Sequence, residues 1–211
     1  MLERRLVWLS AIAAVLYAAA FLHRSPSALR TVVKTAAVGA LAVIAYLADV
    51  PWLLAAGLAL SAVGDAFLAG DPDRWLPAGL GAFLLAHLLY IWFFLETGLG
   101  LASFAASPVR LAGAVAVFVL AAGMLAWLWR SLGAMRLAVS VYVGAIAVMV
   151  AASFTLPAPL WPAALGAVLF MLSDAVLSVE LFKGLKSRVA AHAVWALYYL
   201  GQFAIGWAFV R

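Results

Sequence analysis

Between residues 6 and 210 the chain is a series of eight apolar runs, each close to the roughly 20 residues a helix needs to cross the hydrocarbon layer of a bilayer. The runs fall at about 6–22, 31–48, 51–69, 76–95, 109–130, 136–155, 160–180 and 189–210. Local punctuation marks the breaks: His23-Arg-Ser-Pro26, Asp49-Val-Pro51, Gly70-Asp-Pro-Asp-Arg74, Ser107-Pro108, Pro157-Ala-Pro-Leu-Trp-Pro162 and Lys183-Gly-Leu-Lys-Ser-Arg188. The expected fold is all-α: a polytopic membrane protein with eight transmembrane helices, residues 1–211 making a single transmembrane domain. Short loops make successive spans antiparallel neighbours.

Composition agrees. The chain is 69% hydrophobic and 10% charged, where a soluble domain carries about 25% charged residues. Trp8, Trp52, Trp75, Trp161 and Trp207 stand near span ends, where aromatic side chains anchor at the interface. The absence of cysteine excludes disulfides and thiolate metal sites. A net charge of +5 scattered over loops suits anionic lipid headgroups and gives no reason to expect nucleic acid. Arg4 and Arg5 before an apolar run resemble a signal peptide, but the run reads as the first span.

The loops after spans 1, 3, 5 and 7 hold eight Lys and Arg: Arg24, Arg30, Arg74, Arg130, Arg136, Lys183, Lys186 and Arg188. The opposite side holds Arg4, Arg5, Arg110 and Arg211. The positive-inside rule puts both termini outside, and a bacterial inner membrane is the expected location.

Against this apolar background two aspartates stand out. Asp65 lies in Gly57-Leu-Ala-Leu-Ser-Ala-Val-Gly-Asp65-Ala-Phe-Leu68, and Asp174 in Val168-Leu-Phe-Met-Leu-Ser-Asp174-Ala-Val-Leu177. Both carry Asp-Ala-x-Leu after a small residue. A carboxylate in hydrocarbon costs several kcal/mol or more, so one kept there faces a polar interior and has a task. The bland alternative for Asp65 is a structural pair with Lys34 or an arginine. Both aspartates lie near the cytoplasmic ends of their spans, as do Lys34 and His192, while His87 and Tyr142 sit nearer mid-depth. Gly57 and Ser61, at intervals of four before Asp65, give a small-residue face for close helix approach. The span after each aspartate carries Ala-His (Ala86-His87 and Ala191-His192) with tyrosines downstream, which suggests two parallel four-helix halves.

The remaining candidates are polar groups on these spans. His87 shares a helix face with Gly79, Phe83 and Tyr90. His192, Tyr199 and Gln202 line one face of span 8, with Tyr198 beside them. Interhelical hydrogen bonding is the bland reading for all of these, and interfacial snorkelling is the bland reading for Lys34. Glu180, Lys183, Arg74 and Asp71 read as solvated span ends. No nucleophile elbow, zinc-protease motif or phosphate loop is present.

Several linked motifs, in order, resemble the YhhN family of membrane lysoplasmalogenases over nearly the whole chain. They are Ser61-x-x-Gly64-Asp65-x-x-Leu68, Gly79-Leu-x-x-Phe83-x-x-Ala86-His87-x-x-Tyr90, and Tyr142-Val143 with Met149. They continue with Gly166-Ala167-x-Leu-Phe170-x-x-Ser173-Asp174 and close with Tyr198-Tyr199-x-x-Gln202. Lys34-Thr35 departs from the Lys-Pro typical of the family at that point.

The resemblance implies a hydrolase that cleaves the vinyl-ether bond of lysoplasmalogens, a lysophospholipid substrate drawn from membrane lipids, to a fatty aldehyde and a glycerophospho-alcohol. Such a cleavage needs one protonated acid and one group that stabilises positive charge or activates water, roles that two carboxylates in different surroundings can divide, so Asp65 and Asp174 are the expected catalytic residues. Lys34, Ser61, His87, Tyr90, Tyr142, Ser173, His192, Tyr198, Tyr199 and Gln202 would support them or bind substrate. No cofactor and no metal is required. Two alternatives use the same residues: a metal-dependent intramembrane lipid hydrolase with His87, His192, Asp65 and Asp174 as ligands, and a small proton-coupled transporter.

Overall fold

A computed structural model describes residues 2–210, apart from the side chains of residues 72 and 73; Arg211, counted above among the outer charges, lies outside the described residues. The described residues form helices α1 (Leu2–Leu16), α2 (Ala28–Leu47), α3 (Trp52–Ala69), α4 (Pro72–Thr97), a short α5 (Ala102–Ala106), α6 (Pro108–Leu128), α7 (Arg136–Ser153), α8 (Trp161–Lys183) and α9 (Arg188–Val210). No strand occurs among them. All of these helices except α5 are long and apolar enough to span, once the turns that extend some of them are counted. The all-α, eight-span reading holds, and the chain is integral to a membrane.

The local sequence explains most of the boundaries. Ser27 caps α2 by accepting from the Arg30 amide at 3.2 Å, and Ser107 does the same for Arg110 at 3.4 Å ahead of Pro108. Helix α8 runs three residues past the expected end, to Lys183, and stops where Gly184 takes φ 69°, a left-handed conformation that glycine adopts without strain. Helix α4 already starts at Pro72, so only Gly70 and Asp71 connect it to α3.

Span 1 ends where expected, but the form of its last turn was not legible. Helix α1 closes in a π-helical turn, Tyr17–Phe21, which shifts the phase of the side chains that follow. Arg30 then secures two helix ends at once. Its Nε donates to the Phe21 carbonyl at 3.2 Å, one terminal nitrogen donates to the Ala69 carbonyl at the end of α3, and the other donates to the Tyr17 hydroxyl at 3.1 Å. A guanidinium at the negative ends of two helix dipoles is favourable on electrostatic grounds as well. Arg110 plays a similar part at the opposite face, donating to the carbonyls of Thr155 (3.4 Å) and Leu156 (3.1 Å) just past α7.

Small residues set the close helix approaches. The Tyr90 ring lies where a Cβ on Gly57 would come within 2.7 Å, and Phe83 lies likewise over Gly64 at 2.6 Å. The expected small-residue face of α3 therefore carries the aromatic residues of α4. Helices α8 and α9 approach most tightly: an added Cβ at Gly166 would meet the Gly201 carbonyl oxygen at 2.5 Å, and one at Gly201 would meet that of Gly166 at 2.8 Å. Those obstacles are backbone, so neither helix can yield without separating from the other. This contact holds Asp174 and Tyr198 on the facing stretches of one antiparallel pair.

Candidate functional site

The polar residues of α2, α3, α8 and α9 converge at the end of the bundle that carries the loops after spans 1, 3, 5 and 7. Asp65 is 1% exposed. One of its carboxylate oxygens lies 3.1 Å from the Lys34 ammonium, and the other accepts from the Tyr198 hydroxyl at 2.7 Å. Lys34 also stands 5.9 Å from the ring centroids of both Tyr17 and Trp195, which pack at 4.5 Å from each other. A buried ion pair needs this much support, because each charge has given up its water.

Behind Asp65 runs an ordered chain of hydrogen bonds. Tyr90 donates to the Gln202 carbonyl oxygen at 2.7 Å, the Gln202 amide donates to Ser61 at 3.2 Å, and Ser61 donates to the Gly57 carbonyl at 3.0 Å. Five of the residues singled out in the sequence (Lys34, Ser61, Tyr90, Tyr198 and Gln202) thus assemble around Asp65 and the face of α3 that bears it.

Asp174 has a plainer setting. It is part-buried and accepts from the Tyr142 hydroxyl at 2.6 Å. Ser173 ties α8 to α9 by donating to the Val194 carbonyl at 2.9 Å. His87 is fully buried behind Tyr142, with ring centroids 5.0 Å apart and nearly perpendicular planes; Phe170 packs on it at 4.9 Å. Neither imidazole nitrogen has a hydrogen-bond partner among the described residues.

Both aspartates line one cavity of about 220 Å³, with Tyr17, Arg30, Lys34, Tyr198 and Glu180 also on its wall. A second cavity of about 290 Å³ is lined almost wholly by apolar side chains of α4, α6, α7 and α8, and Tyr142 and Asp174 are among its few polar groups. The two share Leu68, Leu76, Phe83, Asp174, Leu177 and Leu181. Asp174 therefore stands where a charged chamber meets a greasy one.

Two singled-out residues lie elsewhere. His192 is exposed: its Nδ1 is 2.8 Å from the Arg188 carbonyl oxygen, and its ring is 4.9 Å from that of His23. Tyr199 exchanges a hydrogen bond with Ser10 at 2.9 Å, on the α1 side of α9. The inward strip of α9 is Trp195, Tyr198 and Gln202, so the His192–Tyr199–Gln202 face splits in space. The matching Ala-His pairs of the two expected halves also end differently, His87 buried and His192 at the surface. Among the described residues no three His, Asp or Glu side chains gather as metal donors, so His87, His192, Asp65 and Asp174 do not form the ligand set of the metal-dependent alternative.

Sequence reasoning missed Tyr17, Arg30, Phe83, Trp195 and Glu180 as cavity-lining residues. None of these carried a readable signal; Glu180 read as a solvated span end, and the structure places it on the cavity wall.

Two curated proteins named lysoplasmalogenase, from Mycobacterium bovis and Mycobacterium tuberculosis, are each 38% identical to this chain over 157 residues. The match covers 73% of this chain and 58% of each relative, so the chain spans little more than half the length of the curated relatives it matches. No solved structure gives a significant match. The model of the YhhN family matches residues 29–209, which include both aspartates, Lys34, all of α3 to α8 and all but the last residue of α9, and the chain belongs to that family.

Proposed function

We propose that this chain is a single membrane-embedded hydrolase domain that cleaves the vinyl-ether bond of lysoplasmalogens. The observation that carries the reading is the position of Asp174, at the junction of a cavity lined by Arg30 and Lys34 with an apolar cavity among α4, α6, α7 and α8. A single-chain ether phospholipid has the same division: a charged headgroup, a long tail, and the reactive bond between them. The names of the mycobacterial relatives support the same chemistry.

The surroundings of the two aspartates suggest different roles. Asp65, paired with an ammonium and a hydroxyl donor, is the ionised partner. Asp174 has no cation within ion-pair distance among the described residues and a single neutral donor, Tyr142, so it is the acid. In the first step Asp174 transfers its proton to the β-carbon of the vinyl ether, which leaves an oxocarbenium ion and an Asp174 carboxylate. Asp65 and that carboxylate stabilise the positive charge, as paired carboxylates do in glycosidases. Water then adds to the cationic carbon and loses a proton to Asp174. The hemiacetal collapses to a fatty aldehyde and the glycerophospho-alcohol.

Mass spectrometry of purified protein incubated with a lysoplasmenyl-ethanolamine tests the reading. The expected result is equal amounts of long-chain aldehyde and glycerophosphoethanolamine; an unchanged substrate under conditions where the protein is folded would refute it.

The site lies at the cytoplasmic leaflet in this proposal, because the loops at its end carry most of the Lys and Arg. The chain has no cysteine, so a single Ser187→Cys variant reports on one loop alone. Labelling of intact cells with a membrane-impermeant maleimide is expected to leave it unmodified until the membrane is opened, and immediate labelling would reverse the orientation.

A further inference from the structure

The cavity that holds the two aspartates has one more acidic group on its wall, Glu180. Among the described residues it makes no hydrogen bond or ion pair. Lys34 and Asp65 pair with each other and Asp174 accepts from Tyr142, so Arg30 and Glu180 are the charged groups of this wall left to engage a headgroup. Arg30 uses Nε and one hydrogen on each terminal nitrogen for protein contacts, so each terminal nitrogen keeps a second hydrogen. A cation and an anion in one chamber, neither in an ion pair among the described residues, match a zwitterion, and the anion opposes a headgroup that carries negative charge alone.

The spacing fits as well. Glu180 is six residues from Asp174 toward the charged loops, a rise of about 9 Å along α8. An extended glycerophosphoethanolamine covers that span from its ether oxygen to its amine, with the phosphate between. We infer that Glu180 is a specificity-determining residue which receives the headgroup ammonium while Arg30 receives the phosphate, so that the site selects zwitterionic lysolipids over anionic ones. This inference rests on the lysoplasmalogen reading of the same cavity, but it concerns binding and is separable from the chemistry.

The test uses full-length protein in detergent and saturated 1-O-alkyl lysophospholipids, which have no vinyl ether to cleave. Binding is read from the fluorescence of the tryptophans, Trp195 among them. The wild type is expected to bind the ethanolamine lipid more tightly than the glycerol-headgroup lipid, by about tenfold, the ratio one charge-assisted hydrogen bond supplies. Glu180→Gln should remove most of that ratio by weakening the ethanolamine lipid alone, and Glu180→Lys should invert it. A ratio of one in the wild type, or a Glu180→Gln variant that weakens both lipids equally, would overturn the inference. Selective binding by a protein that fails to cleave lysoplasmenyl lipids would keep the inference and discard the hydrolase.

Discussion

Asp174→Asn is expected to lower the turnover of lysoplasmenyl lipid by about 10²–10⁴-fold, the contribution of a well-placed general acid. Asparagine fills the same volume, and its carbonyl oxygen still accepts from the Tyr142 hydroxyl, now 2.6 Å from the Asp174 carboxylate. The walls of both cavities stay in place, so KM for the substrate should move little while kcat falls. What the amide cannot do is deliver a proton to carbon. The same logic predicts a slower wild-type reaction in heavy water, since transfer to carbon is the difficult step. Steady-state kinetics of wild type and variant in one detergent, with thermal unfolding of each as a control for folding, decide the matter. Wild-type kcat from a folded Asp174→Asn protein would remove Asp174 from the chemistry.

The reason such an experiment can be designed from so little lies in which residues were legible. Spans were legible because hydrocarbon fixes helix length, and the punctuation at Pro26, Pro51, Pro108 and Gly184 fixes the ends. The aspartates were legible because a carboxyl in lipid needs a reason. The Lys34–Asp65 pair could be named as a structural alternative, and the structure forms it. It does not decide between the two readings, because an ion pair at the wall of a cavity can hold the fold and serve the chemistry together.

What stayed hidden follows from how helices face one another. His192 and Tyr198 both read as polar residues near a span end, and nothing in the spacing says which side of α9 turns inward. Tyr198 does so because Gly201 lets α9 press on α8 at Gly166. Tyr17 was invisible for a different cause: it keeps the regular helical period of the buried Ser10, Ala13 and Ala14, and one more inward aromatic on an apolar helix gives no sign of a cavity beside it. Arg30 and Glu180 looked like ordinary interfacial charges. Only the convergence of α1, α3, α8 and α9 makes them the walls of a chamber, and that convergence is tertiary information.

The ion pair of Asp65 with Lys34 gives the largest expected effect on stability. Lys34→Met removes the ammonium and leaves Asp65, 1% exposed, with Tyr198 as its one remaining donor. Breaking a buried pair in this way costs about 3–5 kcal/mol, most of it the penalty of an uncompensated charge. Asp65→Asn is expected to cost less, because Lys34 is 12% exposed and its long stem can carry the ammonium toward the interface. The double variant Lys34→Met/Asp65→Asn should recover most of the loss, since no charge is stranded and the amide can still accept from Tyr198. A double-mutant cycle measured by unfolding in mixed detergent reads the coupling directly. Additive losses, with the double variant the least stable of the three, would show that the two charges do not depend on each other. Activity separates the structural role from the chemical one: the restored double variant should be as inactive as Asp65→Asn alone, because a neutral amide at position 65 removes one of the two carboxylates that balance the oxocarbenium charge. Recovery of turnover together with stability would make the pair a brace for the helices and leave Asp174 to act without it.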